Sequence, residues 1–257
     1  MAVELFNDGK HIVHAFYDLV DDSASGAVQC NQFLIADHGH GALVDPGGNM
    51  TYTGLLMDMQ KYFSSKDLDY ILASHPDPDI IASVNKWFVA SQCKVMISSL
   101  WTRFVPHFTT GKDVSHRIIG IPDQGTQIRL GECRIIALPA HFLHSEGNFQ
   151  FYDPVAKILF SGDLGASLVP HEKAAEAVTD FAGHVQYMEG FHRRYIVSRK
   201  VARFWVNMVR QLDIEQIVPQ HGSRFVGAAA IRDFLAWVEN LECGVDLMSQ
   251  ANYSIPR

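Results

Sequence analysis

The chain has 257 residues, 28 acidic and 21 basic, for a formal charge of −7; that length fits one large domain or two small ones. Apolar residues at 47% and charged residues at 19% exclude a mostly disordered chain. The negative balance argues against a nucleic-acid binder, which needs a basic face to displace counterions.

In chain order, short apolar runs bounded by turn residues predict strands at residues 31–37, 41–45, 69–74, 94–98, 133–138, 157–161 and 215–218. Helical spacing occurs at Ile80, Val84, Trp87 and Phe88. It recurs at Val201, Phe204, Trp205, Met208, Val209 and Leu212, and at Ile231, Phe234, Leu235, Val238 and Leu241. Strands in both halves with helices between them predict an α/β layer fold. No repeat, low-complexity tract or Pro/Gly/Ser-rich linker divides the chain, so residues 1–257 are expected to form a single domain. No run approaches the ~18 apolar residues of a membrane span. Residues 1–8 lack the basic and apolar regions of a signal peptide, so a cytoplasmic protein without a membrane or nucleic-acid partner is expected.

Cys30, Cys93, Cys133 and Cys243 form no CxxC pair and read as buried free thiols of a reducing compartment. The 13 histidines are more informative, because several stand beside Asp, as in a metal site. Four strand-like runs end in ionisable residues. Residues 69–74 lead into His75-Pro76-Asp77-Pro78-Asp79, and 133–138 into His141 and His144. Residues 157–161 lead into Gly162-Asp163, and 215–218 into Pro219-Gln220-His221-Gly222. Ligands bind beyond the carboxyl ends of strands, where loops converge on a rigid scaffold. The two prolines hold the first segment extended, so His75, Asp77 and Asp79 are expected to share a face, about 6–7 Å apart per two residues, which suits two neighbouring metals. Asp79 also has an alternative reading as the N-cap of the helix that follows.

The ordered set His75-x-Asp77-x-Asp79, His144-x-x-Gly147-Asn148, Phe160-Ser161-Gly162-Asp163 and Gln220-His221-Gly222 resembles the metallo-β-lactamase superfamily. Within it the set is most similar to the flavodiiron branch and its single-domain oxygen-binding diiron proteins. Residues 143–166 and 188–195 are also similar to that branch. The resemblance implies an α+β fold, a metallo-β-lactamase-like αββα sandwich of four layers. It also implies two irons. His75, Asp77, His144 and Asp163 would hold the first, and Asp79, Asp163 and His221 the second, with Asp163 bridging. His141 competes with His144, which is preferred because Gly147-Asn148 fits the family pattern. Two positions depart from that pattern: Ile80 stands where the family has a histidine, so the second iron is expected to lack one imidazole and to leave a position open to water or dioxygen, and Asp77 stands where the branch has a glutamate, one methylene longer.

Three imidazoles and three carboxylates without a thiolate suit non-haem iron, with zinc or manganese as the other candidates. The expected function is binding of dioxygen or nitric oxide, with or without its reduction by electrons from a separate protein, or oxygen sensing. No flavodoxin-like domain or flavin is expected, and no Gly-rich phosphate loop of the GxGxxG type is present. Asp79 and His192 are the candidate catalytic residues, His192 as a hydrogen-bond donor at the mouth. The alternative is a two-metal hydrolase of an ester, thioester or phosphoester, with Asp79 as base. A metal-free interaction module is the third class. Pairing with a second copy of the chain is left open. Asp45 reads as a strand-end residue. His11, His14, His38, His40, His107, His116, His171 and His184 read as surface or structural. The four tryptophans read as core.

Overall fold

Successive residues of the central strands go to opposite sides of their sheet, as the two-residue period of an extended chain requires. Phe33 and Ile35 join the apolar cluster between the two sheets, while Leu34 joins the cluster under the helices. Phe151, Ile158 and Phe160 point inward in the same way, while Tyr152 and Leu159 face helices on the other side. Strands buried on both faces read as continuous apolar runs. That is why NQFLIAD and KILFS carried a strand signal without polar alternation.

The computed structural model describes residues 1–20, 27–110 and 113–256. The first sheet runs in spatial order β1 (Ala2–Asn7), β2 (His11–Phe16), β3 (Gln32–Asp37), β4 (His40–Val44), β5 (Leu68–Leu72), β6 (Lys94–Ser98) and β7 (Ile118–Ile121). Its first four strands are antiparallel, and β4 to β7 run parallel. The crossovers carry α1 (Tyr52–Met59), α2 (Pro78–Ile81) and α3 (Val84–Ala90) on the outer face. The second sheet comprises β8 (Thr126–Leu130), β9 (Cys133–Pro139), β10 (Phe149–Asp153), β11 (Ile158–Phe160), β12 (Gln216–Val218) and β13 (Phe225–Val226), adjacent in that order. It is antiparallel except for the parallel pair β11 and β12. Helices α4 (Phe181–Tyr195), α5 (Arg199–Val209) and α6 (Gly227–Asn240) cover it. The layers are therefore helix, sheet, sheet, helix, the αββα sandwich of the metallo-β-lactamase type.

Phe33 and Phe160 meet across the two sheets with ring centroids 5.1 Å apart. Truncating either to Ala removes transfer energy and leaves a cavity, a cost of about 3–5 kcal/mol. On the outer face, α5 buries Ala202, Trp205, Val206 and Val209, the i, i+3, i+4, i+7 stripe. The expected strands at 31–37, 41–45, 69–74, 94–98, 133–138, 157–161 and 215–218 correspond to β3, β4, β5, β6, β9, β11 and β12. The single apolar face read at residues 80–88 is two short helices, α2 and α3. No helix among the described residues is long and apolar enough to cross a membrane.

Candidate metal centre

Strand β5 delivers His75. At the end of the neighbouring parallel β4, the buried Asp45 accepts the Ser74 N–H at 2.8 Å. His75 Nδ1 lies 2.9 Å from Ser74 Oγ, so its Nε2 is the free ring nitrogen facing the site. The chain then stays extended only as far as Asp77. Pro78 takes the first position of α2, where its fixed φ suits a helix and its missing N–H costs nothing. The expectation that His75, Asp77 and Asp79 share one extended face is corrected here. Asp79 sits in the first turn of α2 and is carried away from Asp77 toward His221. The N-cap reading of Asp79 is not adopted either: Asp77 holds that position, and its side chain makes no capping bond.

His144 lies in the connection from β9 to β10 at φ +103°, a left-handed conformation that costs a non-glycine residue about 1–3 kcal/mol. The surrounding turn holds it there. Phe142 N–H donates to Ser145 O, and the buried Asn148 donates from Nδ2 to Leu143 O at 2.7 Å. Gly147 is required beside it: a Cβ there would stand 2.6 Å from Ser98 Oγ and 3.0 Å from Trp101 Nε1. His141 turns elsewhere, with Nε2 2.8 Å from the Asp123 carbonyl.

Asp163 follows β11 and His221 follows β12, the parallel pair whose ends lie side by side. His75 Nε2 lies 3.6 Å from Asp77 Oδ2 and 3.8 Å from Asp163 Oδ2. His144 Nε2 lies 3.0 Å from Asp77 Oδ2 and 3.8 Å from Asp163 Oδ2. On the other side, His221 Nε2 lies 3.4 Å from Asp79 Oδ2 and 3.6 Å from Asp163 Oδ1. Each Asp163 oxygen thus faces its own histidine–aspartate group. His75, Asp77 and His144 bring ligand atoms within 4.8 Å of one another. The Asp163 side chain is 6% exposed, against 42% for Asp77 and 43% for Asp79, so the two outer carboxylates open to solvent and the shared one lies beneath.

Burial opposes a charge on His75, but Asp163 and Asp77 outweigh it and push its pKa up to about 9. His221 is likewise pushed up to about 9, burial being outweighed by Asp79 and Asp163. Hydrogen bonds from His144 and His75 hold Asp77 well below the usual carboxylate range.

A cavity of about 650 Å³ opens over Asp77 and Asp79, walled largely by apolar groups. Phe191 and Tyr195, stacked at 4.8 Å, lean on the His144 ring from 5.7 and 5.3 Å. These two aromatics were missed in the sequence. Their i, i+4 spacing in residues 188–195 is the sequence signal that marks them. His192, the next residue on α4, packs edge-on against the Phe191 ring at 5.2 Å and is fully buried. Its Nε2 accepts from Gly165 N–H at 2.8 Å, and its Nδ1 donates to Met188 O at 2.8 Å. Burial lowers its pKa to about 4, so it is neutral. It fastens the Asp163 loop to α4 and has no free N–H for a ligand at the mouth. Ile80 is also fully buried, in the helix-side cluster with Leu55, Val84 and Trp87, and does not line the cavity.

The donor set fits two hard or borderline cations. Six ligand side chains converge, all of N or O type, and the buried Asp163 Oδ1 has no hydrogen-bond partner. Fold and site together define a metallo-β-lactamase-type protein of the flavodiiron branch, with a cluster of nitrogen and oxygen donors that fits two metals. Residues 28–222 match the family described as "ODP family beta lactamase", and the chain belongs to that family. It is 36% identical to a chemotaxis sensor ODP solved as a peroxy diiron species; the match covers 98% of this chain and 99% of that one, with a TM-score of 0.86. The rubredoxin:oxygen oxidoreductase of Desulfovibrio gigas shares the fold at 17% identity, covering 93% of this chain and 62% of that one, with a TM-score of 0.78. An uncharacterised protein of Methanocaldococcus jannaschii is 25% identical over 75% of this chain and 48% of its own length. The chain spans about half the length of the curated relatives it matches.

Proposed function

We propose that the chain is a diiron protein that binds dioxygen, or nitric oxide, in the cavity over Asp77 and Asp79, and that it serves as a sensor. The observation that carries this reading is Asp163, whose Oδ2 faces His75 and His144 while its Oδ1 faces His221. Likeness to a chemotaxis sensor ODP caught as a peroxy diiron species supports the choice of metal and ligand.

His75, Asp77, His144 and one Asp163 oxygen would hold the first iron; Asp79, His221 and the other Asp163 oxygen would hold the second. Two ferrous ions so held supply two of the four electrons that full reduction of dioxygen to water requires. The side chains around them do the rest. Asp77 and Asp79 face the cavity and are the carboxylates that can shift as a small ligand enters. Phe191, Tyr195 and Leu168 form an apolar wall that limits water at the mouth. Arg194, at the same mouth, offers a fixed positive charge to a ligand that gains negative charge. Full reduction would need two further electrons from a donor beyond the two metals.

The test is anaerobic loading with ferrous iron followed by titration with dioxygen, watched by optical absorption. The expected result is a change that saturates at one dioxygen per chain, with negligible hydrolysis of β-lactams or esters. Iron-loaded protein that ignores dioxygen, while zinc-loaded protein hydrolyses esters at Asp79-dependent rates, would establish the hydrolase alternative instead.

A further inference from the structure

The second half of the centre stands on less than the first. Two imidazoles serve the His75 side, but among the described residues His221 is the single imidazole on the Asp79 side, and Ile80 adds none. The orientation of one ring therefore decides whether that half forms.

The segment that fixes the ring lies far away in the sequence. His221 Nδ1 donates to the Gln29 carbonyl at 2.6 Å, which directs Nε2 at Asp79 and Asp163. Two residues on, Asn31 is buried at 2% exposure. Its amide Nδ2 donates to Pro219 O at 3.0 Å and to Gly222 O at 2.9 Å, the carbonyls that bracket Gln220 and His221. Its backbone N–H donates to Gln220 O. One residue thus occupies three of the four consecutive carbonyls of the ligand loop. Ser167 N–H takes the fourth, on His221 itself, at 3.1 Å. A side chain with two donors on one planar nitrogen is what this bracket needs; Asp has none, and Ser has one.

From this geometry we infer that Asn31 is a positioning residue for the second metal: it locks the 219–222 loop to the segment 29–31, so that the Gln29 carbonyl sets the ring of His221. The inference rests on the dinuclear reading above. Partners that orient a ligand histidine change metal affinity by about 10–100-fold when removed. A purely structural role would lower stability and weaken both metals together.

The experiment is an anaerobic zinc titration of apo-protein against a chromophoric chelator, for wild type, Asn31→Ala and Asn31→Ser, with folding checked by far-UV circular dichroism. The expected result is two zinc ions in wild type. In Asn31→Ala the second equivalent is expected to weaken at least 10-fold while the first changes less than about 3-fold, with Asn31→Ser in between. Two equal affinities as in wild type, or equal loss at both sites, would overturn the inference. Should neither variant fold, nitrogen NMR of zinc-loaded wild type decides: Nε2 ligation by His221 with a protected Nδ1–H supports the role of the 29–31 segment, and Nδ1 ligation overturns it. Wild type that binds one zinc or none would instead end the dinuclear reading itself, which keeps the two failures distinct.

Discussion

The two ends of the sandwich each hold histidines among buried carboxylates, and they are built to opposite purposes. At the metal end, five of the six histidine–aspartate separations are 3.4–3.8 Å, and Asp163 Oδ1 has no hydrogen-bond partner. At the far end, the start of β2 meets the ends of β3 and β10. There His11 Nδ1 lies 3.0 Å from Asp37 Oδ1, and its Nε2 lies 2.7 Å from Asp153 Oδ2. The remaining oxygens are also occupied. Asp37 Oδ2 accepts the Glu132 and Cys133 N–H groups and faces His38, and Asp153 Oδ1 accepts the Val155 and Ala156 N–H groups. At the first end the histidines and carboxylates stand apart and an oxygen of the central carboxylate is left without a hydrogen-bond partner; at the other, direct bonds and backbone donors occupy every carboxylate oxygen.

The largest expected effect comes from breaking the closed end. Exchanging Asp153 for Asn leaves His11 with Asp37 as its one buried carboxylate and weakens the hydrogen bonds made to the Asp153 charge, at about 3 kcal/mol. Asp153→Asn is expected to lose that much in urea denaturation while still binding two metals. A loss of metal stoichiometry there would show that the two ends are coupled.

A pH series sharpens the same contrast. Burial disfavours a charge on His11, but Asp153 and the neighbouring Cys133 and Asp37 outweigh it and push its pKa up to about 10, from 6.5. The folded state therefore holds the proton more tightly than the unfolded chain. Its contribution to stability is complete below about pH 6.5 and is lost as pH rises through about 10. Besides these three residues, His38, Glu132 and Asp8 lie around the cluster. The stability difference between wild type and His11→Gln is expected to shrink between pH 7 and 11. A difference constant across that window would mean that His11 is neutral at pH 7.

Ile80→His tests which side of α2 faces the metals. Ile80 lies in the apolar cluster on the helix side, so the imidazole loses apolar packing there and enters without a partner. A stability loss of about 1–3 kcal/mol with no gain in metal affinity is expected. Tighter second-metal binding would instead place residue 80 in the coordination shell. The smallest effect belongs to His141→Ala, whose ring bonds only the Asp123 carbonyl on the partly exposed rim. Metal content is expected to stay at the wild-type value by elemental analysis.

These contrasts also separate what the sequence showed from what it hid. The strand ends that bring these histidines and aspartates together were legible because doubly buried strands leave unbroken apolar runs that stop abruptly at ionisable residues. The divergence of Asp79 from Asp77 was not, because Pro78 suits both an extended chain and the first position of a helix. Helix α4 went unseen because Gly183 and Gly190 weaken its propensity and its buried stripe includes His184 and His192, which are not apolar. The far-end cluster joins positions 11, 37, 133 and 153. No local spacing announces it, and only the pairing of strands brings it together.

The most direct test of the bridging role of Asp163 is iron content after anaerobic reconstitution, measured on wild type and Asp163→Ala side by side. Two irons per wild-type chain are expected, with at most one in the variant and no dioxygen-dependent absorption change. Two firmly bound irons in Asp163→Ala, reacting with dioxygen as in wild type, would contradict the assignment of Asp163 as the carboxylate shared by both metals.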